Sequence, residues 1–180
     1  MGFANPASEA KANAARYVAE LLAVLENRDP WEVLGELVPW LKRKLAGVSD
    51  AELRRPEAPG KWSVLQVAQH LADSELVYGY RIRMIVAHDE PEIQGYDQDL
   101  WVTRLSYNSM ALADTMAELE LLRRLNHRLI RSLSEAQLDR VGQHSERGPE
   151  SVRKILWMLA AHDLVHRRQI ERLLHLPSRS

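Results

Sequence analysis

Apolar residues recur at every third or fourth position along most of the chain, which is the spacing of amphipathic helices. The pattern predicts five helical segments, at about Ser8–Glu26, Trp31–Leu45, Ser63–His88, Met110–Ser132 and Ser151–Leu176. Proline, glycine and polar residues separate these segments, and no stretch shows the alternation that is typical of a strand. We therefore expect an all-α protein with a four-helix bundle, formed by a single domain that covers residues 1–180.

Two of these helices carry histidines on the side that is predicted to face the core. The inward positions of the last helix are Ile155, Leu159, His162, His166, Gln169 and Leu173. The corresponding stripe of the helix that begins at Ser63 is Val67, His70, Ser74, Val77, Arg81 and Met84. Because an imidazole buried without a partner costs free energy, three inward histidines require a common explanation.

A divalent metal shared by His70, His162 and His166 would supply that explanation. His162 and His166 are four residues apart, so both rings lie on the same face of their helix. Three nitrogen ligands leave a coordination position open, which is typical of catalytic rather than structural metal sites. The alternative is that the three rings are hydrogen-bonded and purely structural. The other four histidines are expected to lie outside the site.

Helix lengths indicate how the two histidine-bearing helices run. His70 lies about 10 Å from the start of its helix, and the midpoint of His162 and His166 lies about 15 Å from the end of the last one. The rings therefore meet more readily if the two helices are antiparallel. The long connection between His88 and Met110 permits a crossover between the second and third bundle helices, which gives an up-down-down-up topology.

Two aspartates beside the histidines are candidate catalytic residues. Asp163 lies within a segment that resembles the H-E-x-x-H signature of zinc proteases, with aspartate in place of glutamate. The third ligand of those proteases has no counterpart downstream, so we expect Asp163 to orient a ligand or to act as a base through a metal-bound water. Asp73 follows His70 by three residues and either orients an imidazole or is solvated.

Three further residues are candidates for substrate binding. Gln169 lies one helical turn beyond His166 and is placed to contact a ligand. Arg81 could hold a substrate carboxylate or form a salt bridge with another helix. Trp101 lies in the long connection, where loops often determine specificity, or it serves only to pack that loop. The arginines of the third bundle helix, Arg123 among them, are expected to form a solvated face.

Composition narrows the chemistry of the site. The chain has 24 Lys and Arg against 25 Asp and Glu, so its formal net charge of −1 removes the electrostatic case for binding nucleic acid or an anionic membrane. The absence of cysteine excludes disulfides, thiolate metal ligands and a cysteine nucleophile. No apolar run is long enough to predict a transmembrane helix or a signal peptide, so a cytoplasmic location is expected.

Three segments resemble the DinB-like (DinB/YfiT) superfamily of metal-dependent enzymes. They are Gly60–Val64, Gln69–Glu75 and Ala161–Ile170. The motif K-W-S-V-x-x-V-x-x-H-L-A-D runs from the first segment into the second, and the motif H-x-x-x-H-R-x-Q-I lies in the third. The resemblance covers about Trp31–Leu174. It implies an up-down-down-up four-helix bundle, often dimeric, in which His70, His162 and His166 bind zinc or nickel.

The same resemblance implies two kinds of activity. Some members are transferases or isomerases that use a low-molecular-weight thiol such as bacillithiol, mycothiol or glutathione, and others are regarded as hydrolases. We expect a thiol-dependent transferase of small molecules, with a metal-dependent hydrolase as the alternative. A third possibility is a bundle that binds metal or dimerises without catalysis. The expected partners are a small-molecule substrate and a second copy of the chain, with neither nucleic acid nor membrane.

Overall fold

A computed structural model describes the backbone of residues 6–175 and the side chains of residues 14–175. The helices are α1 (Pro6–Ala23), α2 (Pro30–Leu45), α3 (Asp50–Leu53), α4 (Val64–Ala87), α5 (Gln98–Arg104), α6 (Leu112–Arg131), α7 (Glu135–Leu138) and α8 (Val152–Leu174). A short 3-10 helix spans Tyr107–Ser109. All five predicted helical segments are thus present as α1, α2, α4, α6 and α8. The predicted end of the last one, near Leu176, lies outside the described residues.

Polar side chains at the predicted helix starts explain why the main helices begin where they do. The Ser63 hydroxyl accepts a hydrogen bond from the Gln66 amide, and the Gln66 side chain accepts one from the Ser63 amide. This reciprocal capping box satisfies two backbone donors that the first helical turn of α4 leaves free. Asp29 and Ser151 cap α2 and α8 in the same way with one side-chain acceptor each.

A small sheet interrupts the helical architecture and corrects the expectation that the chain has no strands. Strands β1 (Glu92–Ile93), β2 (Val141–His144) and β3 (Gly148–Ser151) lie in this order, with β1 parallel to β2 and β2 antiparallel to β3. The polar segment between the last two predicted helices therefore contains a hairpin, formed by β2 and β3. Four-residue strands are too short for a period of two to stand out, and β1 pairs with a segment distant in sequence.

Glycine at position 142 allows this sheet to lie directly on α4. A β-carbon added to Gly142 would come within 2.8 Å of the Ile85 side chain and 3.0 Å of the Ile93 side chain. Any larger residue would push β2 away from both. The sheet thereby fixes the connection between α4 and α6 against the start of α8.

The buried core consists of two apolar clusters. One cluster draws on the starts of α2 and α8 and on the ends of α4 and α6. The other draws on the ends of α2 and α8 and on the starts of α4 and α6. Buried polar residues occur along the helices between these two sets, including Glu75 on α4, Arg123 on α6 and His166 on α8. The bundle therefore contains a polar layer inside an apolar frame.

Arg123 corrects the expectation of a fully solvated arginine face on α6. It is 5% exposed, whereas its neighbour Arg124 is exposed. Burial of the guanidinium is compatible with folding because carboxylates from α4 and α8 lie beside it.

Within residues 6–175, no helix has the length and apolarity that a membrane span requires.

Candidate metal centre

The three predicted histidines converge in the polar layer between α4 and α8. His162 Nε2 lies 3.0 Å from His70 Nε2 and 3.0 Å from His166 Nε2. All three residues are buried, and they form a group whose nitrogens could hold one metal ion. The spacing of His162 and His166 on a helix, and the inward position of His70, therefore predicted this cluster correctly.

Hydrogen bonding alone does not account for this arrangement. One imidazole nitrogen carries either a proton or a lone pair, so His162 Nε2 can make one well-directed hydrogen bond, yet it has two close nitrogen neighbours. The other nitrogen of the ring, Nδ1, is buried and has no hydrogen-bond partner. A cation that receives three Nε2 lone pairs satisfies all three Nε2 atoms at once. Nitrogen ligands at about 2.1 Å from a metal lie about 3.0–3.4 Å apart, which matches the observed spacing.

The charge state of the histidines also suits a metal. Burial lowers the pKa of His166 to about 4, and burial followed by the neighbouring His166 lowers the pKa of His70 well below its ordinary value. The pKa of His162 is lowered by burial in the same way. All three rings are therefore neutral at pH 7, which is the form that binds metal ions.

Gln169 orients one of the rings. His166 Nδ1 donates a hydrogen bond of 2.8 Å to Gln169 Oε1, one helical turn further along α8. Because Nδ1 carries the proton, the Nε2 that faces the other two histidines presents its lone pair. Gln169 thus contacts the histidine cluster through His166, whereas the sequence led us to expect contact with a substrate.

An indole covers one side of the cluster. The Trp62 ring lies 4.9 Å from the His70 ring and is stacked almost parallel to the His166 ring at 6.4 Å, measured between centroids. Its Nε1–H donates a hydrogen bond of 3.0 Å to Asp99 Oδ1, which anchors the indole to α5. Trp62 therefore shields the histidines from solvent on this side, and any ligand has to approach from elsewhere.

A cleft reaches the cluster at His162. Its lining comes from α1, α4, the connection after α4, the β2–β3 hairpin and α8, and consists of Tyr17, Ser74, Tyr78, Arg81, Gly95, Tyr96, Gln98, Glu146, Arg147, Met158 and His162. The Tyr78 ring stands edge-on to the His162 ring, with 6.4 Å between centroids. The cleft is thus polar and aromatic, and it ends at the histidines.

A family model described as the DinB superfamily matches residues 40–170, which is most of the chain. The chain belongs to the DinB superfamily. The matched range contains all three histidines of the cluster, the Trp62 cover and most of the cleft. The expected family membership is therefore confirmed.

Relatives within the superfamily are named for metal-dependent hydrolysis. The chain is 32% identical over 125 residues to the Bacillus subtilis protein "Putative metal-dependent hydrolase YfiT", a match that covers 67% of this chain and 68% of the relative. It is 29% identical over 126 residues to the Oceanobacillus iheyensis protein "Putative metal-dependent hydrolase OB0782", a match that covers 70% of this chain and 73% of the relative.

A solved structure supports the same relationship. The structure of YfiT from Bacillus subtilis, described as "a probable metal-dependent hydrolase with an unusual four-helix bundle topology", superimposes with a TM-score of 0.71. The two chains are 26% identical, and the match covers 78% of this chain and 83% of YfiT. This DinB-superfamily chain therefore has the four-helix bundle fold of YfiT, with the small sheet described above.

Asp163, a predicted catalytic residue, is held in a buried ion-pair network. It accepts two hydrogen bonds from Arg123, of 2.6 and 3.0 Å, and Arg123 Nε also lies 2.8 Å from Glu75 Oε1. Asn126 donates to the Glu75 carboxylate, and any side chain at Gly79 would collide with the Asn126 amide. Burial raises the pKa of Asp163 to about 6, and Arg123 opposes the rise.

The second predicted catalytic residue, Asp73, accepts a hydrogen bond from the Tyr107 hydroxyl. Burial raises the pKa of Asp73, while this hydrogen bond lowers it. Tyr107 lies in the 3-10 helix before α6, so Asp73 ties the end of the long connection to α4. A catalytic role for Asp73 or Asp163 stays a prediction, because the structure shows each carboxylate bound by a neighbouring side chain.

The two predicted substrate-binding residues outside α8 both lie near the cleft. Arg81 lines it directly. Trp101 packs on Tyr96, with 4.6 Å between ring centroids, and so supports the cleft wall from behind. The sequence interpretation did not include Trp62, Tyr78 or Arg147 in the site. The position of Trp62 next to the Ser63 cap, at the start of the helix that carries His70, is the signal that would have included it.

Replacing Gln169 with alanine is expected to weaken metal binding by about 10- to 100-fold, because His166 loses the acceptor that fixes its tautomer and ring orientation. Gln169→Glu keeps an acceptor at this position and is expected to retain most of the affinity. The measurement is a competition titration with a chromophoric chelator. Arg168→Ala, an exposed neighbour, is the matched control. An unchanged affinity in Gln169→Ala would contradict this role.

Proposed function

We propose that this protein is a metal-dependent enzyme that activates a small nucleophile for attack on an electrophilic small molecule. His70, His162 and His166 hold one divalent ion, zinc or nickel, with a coordination position left for the nucleophile. The observation that carries the proposal is the convergence of three neutral Nε2 atoms at the end of a polar cleft. The names of the relatives support metal dependence.

Each residue of the site has a separate task in this proposal. A bound divalent ion supplies Lewis acidity, which lowers the pKa of a coordinated thiol or water and makes it nucleophilic at neutral pH. Gln169 keeps the His166 proton on Nδ1, away from the ion. Trp62 excludes water from the side of the cluster that it covers. Tyr78 and the remaining cleft residues orient the electrophile next to His162.

The nucleophile that we propose first is a low-molecular-weight thiol. The chain has no cysteine, so a thiol must arrive as a cosubstrate. The resemblance to thiol-using members of the superfamily supports this assignment. The second candidate is hydrolysis, with water as the nucleophile, and the names of the YfiT-like relatives favour it. A non-catalytic metal-binding bundle is the third.

A matched pair of assays separates these candidates. Protein loaded with zinc or nickel is incubated with 1-chloro-2,4-dinitrobenzene and bacillithiol, mycothiol or glutathione, and in parallel with p-nitrophenyl acetate without thiol. A thiol transferase is expected to raise the rate of conjugation at least tenfold above the spontaneous reaction, and a hydrolase to release p-nitrophenol without thiol. His166→Ala is the control for metal dependence. Absence of turnover in every assay, with loss of thermal stability on chelation, would favour the non-catalytic bundle.

The proposed topology is up-down-down-up. The two core clusters support it, because one combines the starts of α2 and α8 with the ends of α4 and α6, and the other combines the opposite ends. In this order α4 and α8 are antiparallel, as the positions of their histidines require. A homodimer, a cytoplasmic location and the absence of nucleic-acid and membrane partners are further parts of the proposal. The net charge of −1 supports a small-molecule substrate over a polyanion.

A further inference from the structure

Arg81 is a buried cation without an acidic partner among the side chains that the structure describes. Its side chain is on α4, lines the cleft that ends at His162, and is 4% exposed. Among residues 14–175, no carboxylate lies within 4.0 Å of its guanidinium; its direct hydrogen bond, of 2.8 Å, goes from Nη2 to the Gln94 carbonyl. The faces of Tyr78 and Tyr96 lie 5.6 and 6.0 Å from Cζ.

The other arginines of the polar layer and cleft, Arg123 and Arg147, are neutralised by the protein itself. Arg123 is shared by Glu75 and Asp163, and Arg147 makes two hydrogen bonds, of 2.6 and 2.9 Å, to Glu150. These carboxylates raise the pKa of both arginines, whereas burial lowers the pKa of Arg81. Removing a charge from water without a counter-ion costs free energy. The buried charge of Arg81 therefore lowers the stability of the folded protein.

The surroundings of Arg81 are suited to an anion. Burial raises the pKa of Tyr96 to about 12 and also raises the pKa of Tyr78, so both hydroxyls remain protonated and can donate hydrogen bonds. A guanidinium presents a planar set of donors that matches the two oxygens of a carboxylate. Glu146 also lines the cleft, but it is less buried than Arg81 and forms no ion pair with it.

We infer that Arg81 binds a carboxylate group of the substrate and so selects anionic small molecules for this cleft. The inference rests on the proposed function and adds the class of substrate. The Tyr78 ring is close to both sites of contact, with its centroid 5.6 Å from Arg81 Cζ and 6.4 Å from the His162 ring centroid. The gap between Arg81 Cζ and the His162 ring is therefore no longer than these two distances placed end to end, so a small molecule can span it with its apolar part against the tyrosine rings.

A direct binding experiment tests the carboxylate site without requiring turnover. The probe is 4-fluorophenylacetate, whose ring suits the tyrosine-lined cleft, and the neutral comparison is 4-fluorophenylacetamide; ¹⁹F NMR line broadening gives both dissociation constants. The wild-type protein is expected to bind the acid at least tenfold more tightly than the amide. Arg81→Gln, which keeps a donor for the Gln94 carbonyl, is expected to weaken binding of the acid by about 10- to 100-fold and to leave the amide unchanged.

Three further variants make the experiment specific. Arg81→Lys keeps the positive charge and is expected to bind the acid with an affinity between those of the wild type and Arg81→Gln. Arg104→Gln removes an exposed positive charge from α5 and is expected to change nothing. His166→Ala is expected to keep the affinity for the acid, because Arg81 does not depend on the metal. Circular dichroism verifies that each variant is folded.

Two results would overturn the inference. One is equal binding of acid and amide by the wild-type protein, and the other is undiminished binding of the acid by Arg81→Gln. Loss of acid binding in His166→Ala alone would place the carboxylate on the metal ion instead. Failure of the proposed function is a separate outcome, because a protein without turnover on any thiol or ester would still show the difference between the wild type and Arg81→Gln.

Discussion

Replacement of His166 by alanine is expected to reduce the bound metal from about one ion per chain to less than about a tenth of that amount. The substitution removes one of three converging Nε2 atoms and leaves two nitrogens, which hold a divalent ion much more weakly. It also removes the partner of the Gln169 side chain. The effect is large because, among the described residues, the cluster of candidate ligands consists of these three histidines and includes no carboxylate that could replace the missing one.

Metal analysis by mass spectrometry of protein purified without a histidine tag measures this loss. The matched control is His175→Ala, which removes an exposed histidine at the end of the same helix. The control is expected to keep its metal and the stabilisation against heat that the metal provides. Equal metal content in the wild type and in His166→Ala would show that the three rings are structural, and the proposed function would then have no basis.

Replacement of Arg123 by methionine is expected to lower the free energy of unfolding by about 3–5 kcal/mol. Methionine fills much of the same volume, so the effect comes mainly from charge. Glu75 and Asp163 are completely buried, and without Arg123 both carboxylates would lose their counter-ion. Since domains are commonly stable by only about 5–15 kcal/mol, this change removes a large part of the total.

Urea denaturation monitored by circular dichroism measures the change. Arg124→Met alters the adjacent exposed arginine and is expected to stay within about 0.5 kcal/mol of the wild type. Combining Arg123→Met with Glu75→Gln and Asp163→Asn removes the unpaired charges and is expected to recover part of the loss. If Arg123→Met were as stable as Arg124→Met, the network would contribute little, and its role would have to be sought elsewhere.

The helices and the metal cluster could be predicted from the sequence because their signals are local. Helical periodicity extends over many residues, and a serine or aspartate at a helix start acts on amides only two or three positions away. The cluster was predictable because His70, His162 and His166 each replace an apolar residue on an inward stripe. Two such replacements on one helix and a third on another are difficult to explain without a shared ligand.

The ion-pair network and the cleft depend on contacts between segments that are distant in sequence. Arg123 belongs to a helix with several arginines, and the series Leu119, Arg123, Asn126 and Ile130 has the spacing of a buried stripe, but a stripe of leucines on the same helix gave a stronger signal. The cleft combines residues from α1, α4, α8 and the hairpin. The sheet depends on a two-residue strand, for which no sequence pattern is long enough to be recognised.

The Glu75–Arg123–Asp163 network has a consequence for how the metal centre is assembled. Glu75 is on the same helix as His70, and Asp163 is adjacent to His162, so Arg123 links the two ligand-bearing helices by electrostatic contacts that need no ion. The entropy cost of ordering the ligands is therefore met when the chain folds, and the free energy of metal binding is available as affinity. The three imidazoles are therefore preorganised, and we expect their arrangement to persist when a bound ion is released or exchanged.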